Sequence, residues 1–117
     1  MQHKLKDSSG KELLLWLLSF RWRVRVAGAS MFPLLQPGDE VLVDRRAYRN
    51  RRPHPGDIVV ARHPFRKDVR LIKRVTAVLE DGRCRLEGDN TAESTDSRSL
   101  GLIPPSHILG RVTSRFP

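Results

Sequence analysis

Cysteine is nearly absent from this chain: Cys84 stands alone among 117 residues. A single thiol excludes an internal disulfide, and its setting in Arg83-Cys84-Arg85-Leu86, which alternates like a strand, points to packing or surface rather than catalysis. The four histidines, His3, His54, His63 and His107, show no ligand spacing of the HExxH kind and have no second cysteine to join them. No metal and no other cofactor is expected. Aromatic residues make up only 6% against 38% hydrophobic. The core is therefore left to Val, Leu and Ile, a composition that favours strands. Long apolar runs are missing as well. Residues 13–20, Leu-Leu-Leu-Trp-Leu-Leu-Ser-Phe, would span about 12 Å as a helix, against a hydrocarbon core of roughly 30 Å. No transmembrane segment is expected. Internal repeats, low-complexity tracts and a linker long enough to divide domains are also absent, and the length suits one domain.

Positive charge is plentiful, with 22 Lys and Arg against 13 Asp and Glu, a net +9. Such a balance raises nucleic acid and anionic surfaces as partners. The densest cluster, Arg45, Arg46, Arg49, Arg51 and Arg52 around Tyr48, lies between two strand-like segments and reads first as a solvated loop. A docking surface for an acidic partner or a membrane is the second reading. No helix-turn-helix or zinc-finger pattern is present, so specific nucleic-acid recognition is not expected. Lys4, Lys6 and Lys11 before the apolar run, with Ala27-Gly28-Ala29 after it, imitate a secretory signal and its cleavage site. The imitation fails because Arg21, Arg23 and Arg25 intervene. Residues 1–22 are read instead as an N-terminal segment with a short apolar helix that packs on the domain or a partner, weak contact with a membrane surface being the alternative.

From residue 23 onward the chain alternates short apolar runs with turn signals. Pro37-Gly38-Asp39, residues 53–57, His63-Pro64, Asp81-Gly82, Gly88-Asp89-Asn90 and Pro104-Pro105 are spaced about a strand and a turn apart. Strands are predicted at 23–26, 40–44, 57–62, 69–79, 83–87 and 108–113, with a tight hairpin at Glu80-Asp81-Gly82. The expected fold is mainly β, small, coiled and antiparallel.

Within the strand at 69–79, side chains alternate, so Val69, Leu71, Lys73, Val75 and Ala77 share one face. Lys73 therefore lies among apolar neighbours. Desolvation disfavours a charged amine and lowers its pKa, which is how a lysine becomes a general base near neutral pH. A base needs a nucleophile, and Gly28-Ala29-Ser30-Met31-Phe32-Pro33 offers a serine in a turn of small residues, with Pro33 to stiffen the exit. Ser30 and Lys73 form a candidate acyl-transfer pair. Asp39 and Asp57, each after a glycine, are read as turn formers rather than catalysts.

At these residues the chain resembles the signal peptidase I superfamily of serine/lysine proteases, which also contains the self-cleaving SOS repressors. Ser30-Met31-Phe32-Pro33, followed by Gly38-Asp39 and an apolar strand, matches its first motif. Gly56 to Val60, Ile72-Lys73-Arg74-Val75, and Gly88-Asp89-Asn90 followed by Ser94-Thr95-Asp96-Ser97-Arg98 match three more, in order, across about residues 26–112. The resemblance implies a serine endopeptidase domain over residues 23–117, with Ser30 and Lys73 catalytic and Met31 part of the nucleophile motif. It also implies that Ser94 hydrogen-bonds the lysine and that Asp96 and Arg98 form a supporting ion pair. Many members carry a side-chain hydroxyl two residues before the nucleophile as an oxyanion donor; here that position is Gly28.

Only fourteen residues separate Lys73 from Gly88, leaving no room for the large inserted domain of longer members. Arg25-Val26-Ala27-Gly28-Ala29-Ser30-Met31 and the later Leu-Ile-Lys-Arg-Val and Leu-Glu-Gly-Asp-Asn look most like the nickel-type superoxide dismutase maturation protease. That likeness implies cytoplasmic removal of a short N-terminal propeptide from the dismutase precursor, the nickel belonging to the substrate. The rivals are signal-peptidase processing of secretory precursors at a membrane, and a non-enzymatic basic β module that binds nucleic acid or anionic surfaces. A severed self-cleaving repressor is disfavoured because Ala27-Gly28 lies too close to Ser30.

Overall fold

The computed structural model describes residues 5–90, 92 and 100–117. Six strands form at the apolar-rich stretches between the turns: β1 (Trp22–Arg25), β2 (Glu40–Asp44), β3 (Ile58–Arg62), β4 (Arg70–Val78), β5 (Cys84–Glu87) and β6 (Ile108–Arg115). They make one sheet in the order β1-β2-β6-β3-β4-β5, with every pair antiparallel. The mainly β fold with a short N-terminal helix is as predicted, and no strand end moves by more than two residues. The largest extension is in β6, where buried Val112 and Ser114 carry the alternation on to Arg115.

The sheet is covered on both faces. Along β3 successive residues point to opposite sides, and all of Ile58 to Ala61 are buried. Ile58 and Val60 join Val41, Val43, Met31 and Leu35 in one core, whereas Val59 and Ala61 join Val75, Cys84, Leu86 and Ile103 in the other. That is why β3 reads as an unbroken apolar run. Cys84 is fully buried, and burial pushes its thiol pKa up. It acts as a small core residue, not a reactive thiol.

Polar side chains close the turns. Asp39 accepts from the Gln36 N–H at 2.9 Å; Asp57 accepts from the His54 N–H at 3.0 Å and from the Tyr48 hydroxyl at 2.8 Å. Tyr48 also packs on the second core. Burial, then the hydrogen bond to Asp57, raises its pKa far above the ordinary phenol value. The arginine-rich stretch 45–52 is thus pinned at its centre while its arginines face outward. At the β4–β5 hairpin Gly82 takes φ +89°, a left-handed conformation open to glycine at little cost. Arg83 and Asp81 pair beside it at 2.7 Å.

The helix α1 (Gly10–Leu17) begins at Ser9, whose hydroxyl accepts from the Glu12 N–H at 3.2 Å. No α1 residue is fully buried. The helix is held through Glu12, which accepts from Thr113, from Ser114 at 3.2 Å and from Arg21, and through Trp16, edge-on to Phe116 at 4.9 Å. Just before α1, Asp7 and Ser8 run alongside the end of β6, with the Ser8 N–H on the Arg115 carbonyl at 2.8 Å and Arg115 paired to Asp7 at 2.9 Å.

Candidate active site

The chain leaves β1 at Val26, which exchanges two backbone hydrogen bonds with Gly38 and Asp39, at 2.9 and 2.7 Å. The turn that follows carries Ser30. Two apolar plugs set it down: Met31 is 1% exposed and Leu35 fully buried, both in the first core. Local bonds then close it, from Phe32 N–H to the Ala29 carbonyl at 3.1 Å and from Leu35 N–H to the Met31 carbonyl at 3.0 Å. A distant residue completes the clamp. Asn90 donates its backbone N–H to the Ser30 carbonyl at 2.7 Å and its side-chain amide to the Ala29 carbonyl at 3.0 Å. With both carbonyls engaged, the Ser30 N–H has no hydrogen-bond acceptor among the described residues. It stands as an open backbone donor beside the hydroxyl.

Lys73 lies in the middle of β4, opposite Val59 of β3, and is only 3% exposed. Its neighbour two residues on, Val75, is fully buried in the second core. Water is largely excluded around the amine, an environment that disfavours the ammonium form. Ser30 and Lys73 line the same cavity, of about 210 Å³, together with Val24 to Ala29 and Arg70 to Ile72. The Ser30 hydroxyl makes no hydrogen bond to another described residue. Such looseness is ordinary where catalytic contacts tighten only on substrate.

Two strand edges flank this cavity. β1 is the first strand of the sheet and pairs only with β2. β5 pairs with Arg74 to Val78, so Arg70 to Ile72 have a strand on one side only among the described residues. An extended peptide laid between these edges would find backbone donors and acceptors on both sides.

The segment after β5 is tied to the lysine strand as well as to the serine turn. Arg74, next to Lys73, grips Asp89 with two bonds of 2.9 Å and donates a third, 3.1 Å, to the Gly56 carbonyl. The bonds to Asp89 hold the Arg74 pKa above its ordinary value. Asp89 and Asn90 thus bridge the two halves of the site. The sequence reading recognised Gly88-Asp89-Asn90 as a motif but gave it no task; an acid and an amide directly after a strand, with an arginine beside the base, were the available signal. Of the other predicted residues, Gly28 lines the cavity, and a Cβ added there meets nothing within 4 Å. Ser94, Asp96 and Arg98 lie outside the described residues.

A larger cavity, of about 760 Å³, lies between α1, β1 and the 45–49 loop. Its serine, Ser19, has no lysine or histidine with it in the lining. Arginines and aromatic rings dominate there, and only the smaller of these two cavities brings a serine and a lysine together.

Residues 13–81, more than half of the chain, match the family described as signal peptidase, peptidase S26. The chain is 34% identical over 108 residues to mitochondrial inner membrane protease subunit 1 of Xenopus tropicalis, covering 76% of this chain and 65% of the relative. It is 36% identical over 110 residues to mitochondrial ATP-independent inner membrane protease subunit 1b of Arabidopsis thaliana, covering 75% and 65%. A probable signal peptidase I-1 of Synechocystis sp. is 28% identical over 130 residues, covering 74% and 66%. The chain spans slightly less than two thirds of the length of these relatives. The cytoplasmic placement expected from the sequence is overturned by them, since the first two are named for a membrane. That expectation rested on the likeness to the nickel-type superoxide dismutase maturation protease and on the lack of a span. Among the described residues no helix is long and apolar enough to cross a membrane, but a shorter helix can still lie on one.

Proposed function

This chain belongs to the signal peptidase family, peptidase S26, and from that premise we propose that it is a serine endopeptidase that trims N-terminal segments from precursor proteins. The observation that carries the reading is the shared cavity of Ser30 and buried Lys73. Ser30 Oγ attacks the scissile carbonyl while the neutral Lys73 amine takes the hydroxyl proton. The tetrahedral oxygen gathers negative charge beside the open Ser30 N–H, a fixed donor that needs no reorganisation. Collapse breaks the C–N bond, and Lys73 returns its proton to the leaving amine. Water, deprotonated by the same lysine, then releases the acyl group. The family resemblance gives Ser94 the task of orienting the lysine, with Asp96 and Arg98 in support.

Substrate choice follows from the walls. Ala27, Gly28 and Ala29 leave a shallow surface that suits small side chains before the cut. The names of the relatives favour precursors that reach a membrane. The nickel superoxide dismutase precursor is the finer candidate, supported by the wording of residues 25–31 and by the short distance from Lys73 to Gly88. Incubating the protein with each kind of precursor and reading product N-termini by mass spectrometry separates the two. A single cut after a small residue, absent with Ser30→Ala, is expected; no cut in either precursor would sink the protease reading.

A further inference from the structure

The face that carries α1 has a composition the catalytic cavity does not use. Leu14, Leu17 and Leu18 are spaced to lie together on the helix, and with Phe20 they are 53–72% exposed. Next to them opens the large groove whose rim holds Arg45, Arg46 and Arg49. No carboxylate lies within 4 Å of the guanidinium groups of these three among the described residues, in contrast to Arg21 and Arg23 in the same groove, which pair with Glu12 and Glu40. Aromatic rings line the groove between the two zones: Trp16 belongs to α1 itself, and Trp22 is stacked by Arg45 at 5.2 Å and by Arg70 at 4.3 Å. Arg70 in turn lines the cavity of Ser30 and Lys73. One continuous surface therefore runs from exposed leucines through tryptophan to arginine, and on to the cleft.

We propose that this face, α1 with the Arg45–Arg49 rim, docks the protein on an anionic phospholipid bilayer and holds the cleft at its surface. Apolar side chains, then tryptophan, then cations is the order in which acyl chains, interface and phosphate headgroups follow one another with depth. An acidic protein would complement the arginines but leave the leucines and Phe20 in water. A second copy would bring +9 against +9. The proposal extends the protease reading but stands on different residues, so the two can fail separately.

The test is co-sedimentation of the whole protein with vesicles of pure phosphatidylcholine and of equal parts phosphatidylcholine and phosphatidylglycerol, with hydrolysis of a short soluble peptide measured without vesicles. Sedimentation with the mixed vesicles only, released by salt, is expected. Two variants probe the two zones, Leu17→Ser with Leu18→Ser, and Arg45→Ala with Arg46→Ala and Arg49→Ala. Each should weaken binding by at least about tenfold while peptide hydrolysis stays as in the parent. Failure to sediment with mixed vesicles would overturn the proposal. So would undiminished sedimentation of the triple arginine variant, or binding to soluble poly-glutamate that the leucine changes leave intact, which would mark an acidic protein as the partner. Loss of peptide hydrolysis in the parent protein would count against the protease reading alone.

Discussion

In the proposed mechanism Lys73 carries two burdens, since an amine that must take a proton from Ser30 is placed where holding its own is costly. The rate of peptide cleavage should therefore rise with pH as Lys73 deprotonates, with an apparent pKa below the roughly 10.4 of free lysine. Ser30→Ala and Lys73→Ala should each lower kcat by about 10³-fold or more, and the double variant should be scarcely worse. A rate still climbing at about pH 10 would show a solvated amine instead. Gly28 offers the opposite experiment, a gain. A Cβ there enters open space and the backbone is not left-handed. Gly28→Ser should fold as the parent does and place a hydroxyl two residues before the nucleophile. The expected outcome is unchanged or raised kcat with an unchanged melting temperature.

Among the elements, β2 and β6 are crowded at one point. At Gly110 an added Cβ would come within 2.7 Å of the Asp44 carbonyl oxygen and of Val43 Cγ1. Backbone cannot yield as a flexible side-chain tip can, so Gly110→Ala should destabilise by about 1–3 kcal/mol, read by denaturant unfolding. Nothing in the local sequence announced this, because the crowding comes from a strand more than sixty residues earlier. The helix α1 rests on a different interaction. Burial raises the Glu12 pKa, but hydrogen bonds from Thr113 and Arg21 outweigh it, leaving the carboxyl below its ordinary value. A lowered folded-state pKa contributes stability above the unfolded value, roughly pH 4.3, that is lost as pH falls through the folded one. The protection of α1 amides relative to their intrinsic exchange rate should accordingly fall in acid below about pH 4, and Glu12→Gln should remove that dependence.

For the molecule as a whole, the strands were legible because β1 and β5 alternate visibly and β2 and β3 are short apolar runs between turn signals. The strand order was not, since pairing β6 between β2 and β3 depends on residues far apart in the chain. The site divides in the same way. Ser30 and Lys73 stood out because each is chemically odd for its surroundings, whereas Asn90 acts through backbone carbonyls 61 residues away. A chain stopped before Ile108 would keep every proposed catalytic residue yet leave β2 and β3 without the strand that joins them. It should be unfolded by circular dichroism and inactive on peptide.

That arrangement has a consequence in time. Ser30 follows β1 on one ribbon, β1-β2; Lys73 belongs to the other, β3-β4-β5; and β6 is the seam between them. As the chain leaves the ribosome, nucleophile and base emerge well before the strand that brings them together. Under the proposed protease reading the nascent chain is therefore silent, and cutting begins only when β6 has been made.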